Sequence, residues 1–332
     1  MKAQVLHAPA PIDTNPLTLT DLPRPALPPG HLLIRISVCG VCHTDLHVVE
    51  GELPQPKLPL IPGHEIVGVI DEIGEGVTYF QRGARVGIPW LHETDGTCEY
   101  CQRGQENLCE SARFTGYTAD GGYAECTLVP QDFAVPIPEQ FSDVQAAPLL
   151  CAGIVGYRSL RLSDLKPGER LGLYGFGGSA HICIQVARYW GCEVYVFTRS
   201  AEHQHHALEL GAAWTGQAQD NPPAKLDRAI IFAPAGWIVP LALSHLRKAG
   251  TLCINAIHTS PIPEMPYHLL WNERTIRTVA NATRRDAEEF LSLAAQIPIH
   301  TETQLFDLDD ANQVLQTLKR GEIKGAAVLQ VR

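Results

Sequence analysis

Three residues far apart in the chain, Cys42, His64 and Cys151, are of the types that a catalytic zinc ion takes. Such an ion binds three protein ligands, Cys2His among the known sets, and keeps a fourth position open for water or substrate. An isolated cysteine usually belongs to a core, and an isolated His-Glu pair is usually structural. The reading therefore rests on their joint occurrence. A second group, Cys98, Cys101 and Cys109, is clustered. In a chain whose thiols stay reduced, clustering points first to metal.

A different chemistry is written into Leu171-Gly-Leu-Tyr-Gly175-Phe-Gly177-Gly-Ser-Ala180. This is G-x-G-x-x-A between a strand-like and a helix-like segment, the pattern of a dinucleotide-binding turn. Gly175 allows the tight turn, and Gly177 lets backbone approach a pyrophosphate. Gly178 opens the helix, and Ala180 is small enough for that helix to pack on the strand. Free N–H groups at the helix start would face the phosphates. The next strand ends in Thr198-Arg199-Ser200, with no acid until Glu202. An acid there would bind the ribose 2′-hydroxyl of NAD, whereas Arg199 and the flanking hydroxyls suit a 2′-phosphate. The expected cofactor is NADP(H) in preference to NAD(H).

These groups need elements to hold them. A length of 332 residues suggests about two domains. Residues 1–150 read as β-rich, with apolar runs such as His31–Val38 and Ile66–Ile73 between Gly and Pro turns. From 151 the texture changes. Arg170–Tyr174, Glu193–Thr198, Arg228–Phe232 and Thr251–Ala256 read as strands, and Ser179–Trp190, Ala201–Leu210 and Ile238–Lys248 as helices. That alternation predicts an α/β fold with a parallel sheet. Asp286–Gln296 and Leu308–Arg320 then read as amphipathic helices, and Ala326–Val331 as a closing strand.

Composition excludes other classes. A net charge of −10 without a run of Lys or Arg argues against nucleic acid as a partner. The longest weakly polar stretch, Leu171–Ala187, contains Gly172, Gly175, Gly177 and Gly178, which argues against a membrane span. The N-terminal residues show no apolar signal region, so the expected location is cytoplasmic.

The strings Cys39-Gly-Val-Cys-His-Thr-Asp-Leu-His47, Pro62-Gly-His-Glu65, Cys98-Glu-Tyr-Cys-Gln-Arg-Gly104, Asp120-Gly-Gly-Tyr-Ala-Glu125, Cys151-Ala-Gly153 and Gly321-Glu-Ile-Lys-Gly325 resemble the zinc alcohol dehydrogenases of the medium-chain dehydrogenase/reductase superfamily. The likeness covers nearly the whole chain. It implies a GroES-like β-rich catalytic domain over 1–150, with a zinc lobe near 91–112. A Rossmann domain with a doubly wound parallel sheet follows over 151–280, and 281–332 return to the catalytic domain.

The resemblance also assigns roles. Cys42, His64 and Cys151 become ligands of the catalytic zinc, with Glu65 beside the metal and Asp45 orienting His64. Thr44 and His47 match a proton relay, and His43 a position near the cofactor pyrophosphate. The family's structural zinc lobe carries four cysteines; here the spacing survives but Asp95 stands first, before Cys98, Cys101 and Cys109. Zinc accepts carboxylate oxygen, so a second ion is expected, with His92 or Glu93 as substitutes should Asp95 point away. Trp90 and Leu53 fall at substrate-pocket positions, and Leu53 leaves room for a larger alcohol.

The implied reaction is hydride transfer between the nicotinamide and a primary alcohol or aldehyde, medium-chain or allylic or benzylic. The implied assembly is a homodimer or homotetramer. One departure is that Ala326-Ala327 follow Gly325 where many relatives carry an arginine for the pyrophosphate; Arg284 and Arg285 are the candidates to replace it. A zinc-free quinone or enoyl reductase of the same superfamily would lack the Cys/His/Cys set. A non-enzymatic zinc-binding module would leave the glycine turn unexplained.

Overall fold

The computed structural model describes residues 1–54 and 56–331. The chain forms two compact units. The first holds Met1–Cys151, Thr283–Ala295 and the residues from His300 onward; the second holds Ala152–Ala282 and Gln296–Ile299.

In the first unit the strand His31–Val41 is the axis. Leu32, Leu33, Ile34, Ile36, Val38, Cys39 and Val41 are all buried, as in a strand covered on both faces. It pairs antiparallel with Glu65–Ile73, Cys126–Pro130 and Ala326–Gln330. The sheet runs in the order Thr303–Asp307, Ala326–Gln330, His31–Val41, Glu65–Ile73, Arg85–Ile88, Val135–Pro136. Gly40 lies opposite Glu65 in the register. A Cβ on Gly40 would stand 2.0 Å from Glu65 Oε2, so glycine is what lets that carboxylate lie across the strand.

The strand runs through Cys42 into the helix His43–Glu50. Cys42 caps it: the Thr44 N–H donates to Cys42 Sγ at 3.3 Å, and the Cys42 N–H donates to Asp45 Oδ2 at 2.9 Å. This is a capping box in which sulfur replaces the usual hydroxyl. Gly51, at φ 77°, ends the helix in the left-handed region.

The second unit carries six parallel strands in the order Trp214–Gly216, Glu193–Phe197, Arg170–Tyr174, Leu226–Ile231, Leu246–Ile254, Thr275–Thr278. The order reverses between Arg170–Tyr174 and Leu226–Ile231, as in a doubly wound dinucleotide fold. The helices Gly178–Tyr189 and Ala201–Glu209 follow the first two of these strands in sequence.

Two elements differ from the sequence reading. The helix expected over Ile238–Lys248 stops at His245, because Leu246 is extended, fully buried and paired with Leu226. The helix expected over Leu308–Arg320 divides into a 3-10 turn, Leu308–Asp310, and the helix Ala311–Lys319. No helix among the described residues is long and apolar enough to cross a membrane.

Candidate functional site

Cys42 comes from a helix cap, His64 directly precedes the strand Glu65–Ile73, and Cys151 ends the 3-10 turn Ala147–Leu150. The structure brings all three together with Glu65: their ligand atoms lie within 4.8 Å of one another. Cys42 Sγ stands 3.3 Å from His64 Nε2. On its other side, His64 Nδ1 donates to Asp45 Oδ1 at 2.8 Å, which fixes the ring and turns Nε2 toward the sulfur. Asp45 thus serves twice, closing the helix cap with one oxygen and holding the imidazole with the other.

This site is crowded with acids. Burial pushes the Glu65 carboxyl well up, and Cys42 adds to the effect. Burial raises Asp45 too. The Cys151 thiol hydrogen-bonds Cys42, which holds Cys42 well below the ordinary thiol and pushes Cys151 well above it. Burial lowers the His64 imidazole, but Asp45 and Cys42 outweigh burial and raise it. Two sulfurs, an imidazole and the Glu65 carboxyl in a space this dry form a donor set whose negative charge a divalent cation would balance. Zn²⁺ fits that set.

Trp90 meets the His64 ring edge-on, centroids 4.9 Å apart. Phe114 and Tyr117 stack on Trp90 at 5.3 and 5.7 Å. The Tyr117 hydroxyl donates to the Pro54 carbonyl, next to half-buried Leu53. Sequence reasoning missed Phe114 and Tyr117; their only signal is aromatic character just beyond Cys109. Thr44 and His47 lie one turn apart on the helix His43–Glu50, both half-buried, and His47 Nδ1 pairs with Glu52 Oε2 at 2.5 Å. His43 is exposed at the helix start.

The second cluster joins Asp95, Cys98, Cys101 and Cys109. The Asp95 carboxylate, though exposed, faces the cysteines. Its Oδ1 accepts the N–H groups of Thr97 and Cys98, each at 2.8 Å, and Oδ2 accepts from the Cys109 thiol at 3.2 Å. Those backbone donors, Cys98 first, hold the carboxyl well below its usual range. Neither suggested substitute joins the cluster. Glu93 pairs with Arg113 at 3.2 Å, and buried His92 is pushed down to about 4 by desolvation. The lobe is tied down by Arg284, whose Nη2 lies 2.6 Å from Glu106 Oε2 and whose guanidinium covers the Phe133 ring. Arg284, suggested by sequence for the pyrophosphate, is therefore committed to Glu106; Arg285 pairs with Glu289.

In the second unit Gly175 takes φ 91° and follows the strand Arg170–Tyr174 directly. A Cβ on Gly177 would meet nothing within 4 Å, so open space faces the turn. Ser200 caps the helix Ala201–Glu209, accepting from the His203 N–H at 3.2 Å. Thr198 is half-buried, and Arg199 is exposed with no ion pair among the described residues.

A Cys2His donor set and a dinucleotide turn in one chain define a nicotinamide-dependent dehydrogenase. Residues 28–139 match the alcohol dehydrogenase GroES-like domain, and residues 178–296 match the zinc-binding dehydrogenase domain. A probable alcohol dehydrogenase, AdhA, of Mycobacterium tuberculosis is 51% identical over all of this chain and 97% of its own length. The cinnamyl alcohol dehydrogenase SbCAD4 of Sorghum bicolor superposes with a TM-score of 0.90 at 27% identity, covering 99% of this chain and 97% of that one. A Helicobacter pylori CAD complexed with NADP(H) superposes with a TM-score of 0.86 at 26% identity, covering 99% of both chains. The chain belongs to the alcohol dehydrogenases of the medium-chain dehydrogenase/reductase superfamily, oxidoreductases that act on alcohols with a nicotinamide cofactor.

Proposed function

We propose that the protein is a zinc-dependent, NADP(H)-preferring dehydrogenase of primary alcohols and aldehydes, medium-chain or allylic and benzylic. The observation that carries the zinc reading is the convergence of Cys42, His64 and Cys151, with Asp45 on the far nitrogen of His64. The chemistry that a bound Zn²⁺ supplies is Lewis acidity, which eases loss of an alcohol proton and polarises an aldehyde carbonyl.

The remaining work belongs to this chain's own side chains. Asp45 fixes the His64 tautomer. Glu65, its carboxyl raised by burial, is a reserve donor beside the ligands. Thr44 takes the alcohol proton, and His47, one turn on and paired with Glu52, passes it to solvent. His43 serves the phosphate side of the cofactor. Trp90, carried by Phe114 and Tyr117, forms a flat aromatic wall that favours planar alcohols, and Leu53 leaves space for length.

Asp95, Cys98, Cys101 and Cys109 hold a second, structural zinc. Gly175, Gly177 and Gly178 receive the pyrophosphate, and the missing acid beyond Phe197 favours NADP(H), carried by Thr198, Arg199 and Ser200. The cofactor complex of the Helicobacter relative supports that preference. The enzyme works in the cytoplasm as a homodimer or homotetramer.

The test is a panel of alcohols with NADP and NAD, followed at 340 nm. Hexanol and cinnamyl alcohol should give kcat/KM at least about tenfold above ethanol, consistent with the 1–3 kcal/mol that pocket filling yields. A clear ethanol preference would refute the substrate reading, and equal use of NAD would refute the cofactor reading.

A further inference from the structure

Behind the glycine turn of the second unit lies a group of imidazoles that the reaction above does not use. His181 stands in the first turn of the helix Gly178–Tyr189, and His203 and His206 stand one turn apart on Ala201–Glu209. The His181 and His206 ring centroids are 4.7 Å apart, and His181 and His203 are 6.2 Å apart. Phe176, inside the glycine turn, packs on His181 at 4.4 Å and reaches His206 at 6.3 Å. The cluster is thus tied both to the turn and to the helix that starts after Thr198-Arg199-Ser200. His181 Nε2 is buried without a hydrogen-bond partner, an incomplete polar site. His206 is half-buried and His203 is exposed, so one edge of the cluster reaches solvent.

A metal is not the best occupant. Only two groups among the described residues gather ligand atoms within 4.8 Å, and these histidines are in neither. An anion suits the place better. The surrounding charges are Arg199 before the helix, Glu202, His205 and Glu209 on it, and His181 and Arg188 on the helix opposite. Glu209 is shared between His205 at 3.2 Å and His206 at 3.3 Å. The helix start adds partial positive charge. The end of the strand Glu193–Phe197, just before this helix, is where a dinucleotide fold reads the adenosine ribose.

We infer that His203 and His206, backed by His181 and flanked by Arg199, form a proton-charged seat for the 2′-phosphate of NADP(H), so that binding takes up a proton. This rests on the NADP(H) reading above and deepens it. A phosphate monoester is close to a dianion at pH 7, with a second pKa near 6. An ordinary imidazole has a pKa near 6.5. A dianion beside neutral imidazoles favours their charged form, so the proton comes from solvent onto an imidazole nitrogen. Desolvation and the two neighbouring rings push His181 down to about 4, so it backs the seat as a neutral ring. An arginine-only seat behaves oppositely. Its charge is fixed, and it loses affinity as the phosphate itself takes a proton.

The test is calorimetric binding of 2′,5′-ADP and 5′-AMP to the whole protein at pH 8 and pH 6.5, in buffers of different ionisation enthalpy. The inference expects 2′,5′-ADP to bind about tenfold tighter at the lower pH with net proton uptake, as linkage of roughly one proton requires. In the His203→Gln/His206→Gln variant the pH effect and the uptake should both disappear, with 5′-AMP binding unchanged as the check on folding. A preference for 2′,5′-ADP that is flat or weakens at low pH, and is indifferent to the variant, would overturn the inference and leave the NADP(H) reading standing. Equal binding of the two nucleotides at both pH values would overturn the cofactor reading and the inference with it.

Discussion

Cys42, His64 and Cys151 reach one point from a helix cap, the residue before a strand and the end of a 3-10 turn, whereas Asp95, Cys98, Cys101 and Cys109 lie along a single short lobe. Burial separates the two sets at the imidazole and the carboxylates and not at the thiols, since Cys109 is buried and Cys42, Cys151, Cys98 and Cys101 are all half-buried. His64 and Glu65 are almost fully enclosed, while Asp95 is exposed. The buried set brings together acids that burial and one another push toward their neutral forms, and it draws its members from separate elements of the chain. The exposed set is braced locally: backbone N–H groups already satisfy Asp95. A scattered, buried donor set suits chemistry, because the protein dictates its geometry and dryness. A local, exposed one suits bracing of its own loop.

The comparison breaks most readily at His64. His64→Ala removes a ligand from the buried set and should lower kcat/KM by about a thousandfold or more, the several kcal/mol that metal polarisation supplies. Activity within tenfold of wild type would remove the basis for the buried set's role. Next in size is Asp45→Asn, which keeps the helix cap's shape but weakens the partner of His64. Zinc affinity or activity should fall by about 10–100-fold, read by competition with a chelator. A smaller effect is expected from Asp95→Ala. The lobe should surrender its metal to a chelator faster and the protein should melt earlier, while kcat for the metal-replete enzyme stays within about threefold of wild type, because only lobe contacts are lost.

The smallest effect lies in the second unit and concerns pH. His181 is held near 4, mainly by desolvation and then by His206 and His203, against about 6.5 for a free imidazole. The unfolded chain therefore binds the extra proton first as pH falls. Stability should be full above about pH 6.5 and decline toward pH 4, with the positive slope against pH that linkage requires. His245, lowered by burial, acts in the same sense. Melting temperatures from pH 7 to 4.5 should fall less steeply in His181→Leu than in wild type; identical slopes would exclude His181 as a source.

How much of this was legible in the sequence follows from which interactions are local. The strand Arg170–Tyr174 and the helix Gly178–Tyr189 were readable because period and glycine turn sit in adjacent residues. The donor residues were readable because cysteine, histidine and spacing are chemical signals independent of fold. Tertiary pairing was not. The helix after Ile238 ends early because Leu246 is claimed by a neighbouring strand, and Arg284 is claimed by Glu106, far away in sequence. The stack of Phe114 and Tyr117 on Trp90, and the meeting of His181 with His206, depend on two elements packing face to face. No single helix or strand contains both partners of those contacts.

The two donor clusters are proposed to hold separate metal ions, and metal analysis tests this most directly. Protein purified without chelator should carry about two zinc per chain, one for each four-residue donor cluster. His64→Ala should carry about one and lose activity, while Asp95→Ala with Cys98→Ala should also carry about one yet keep its turnover when freshly prepared. Equal zinc in wild type and His64→Ala, or a wild-type protein that turns over alcohol with no zinc bound, would contradict it.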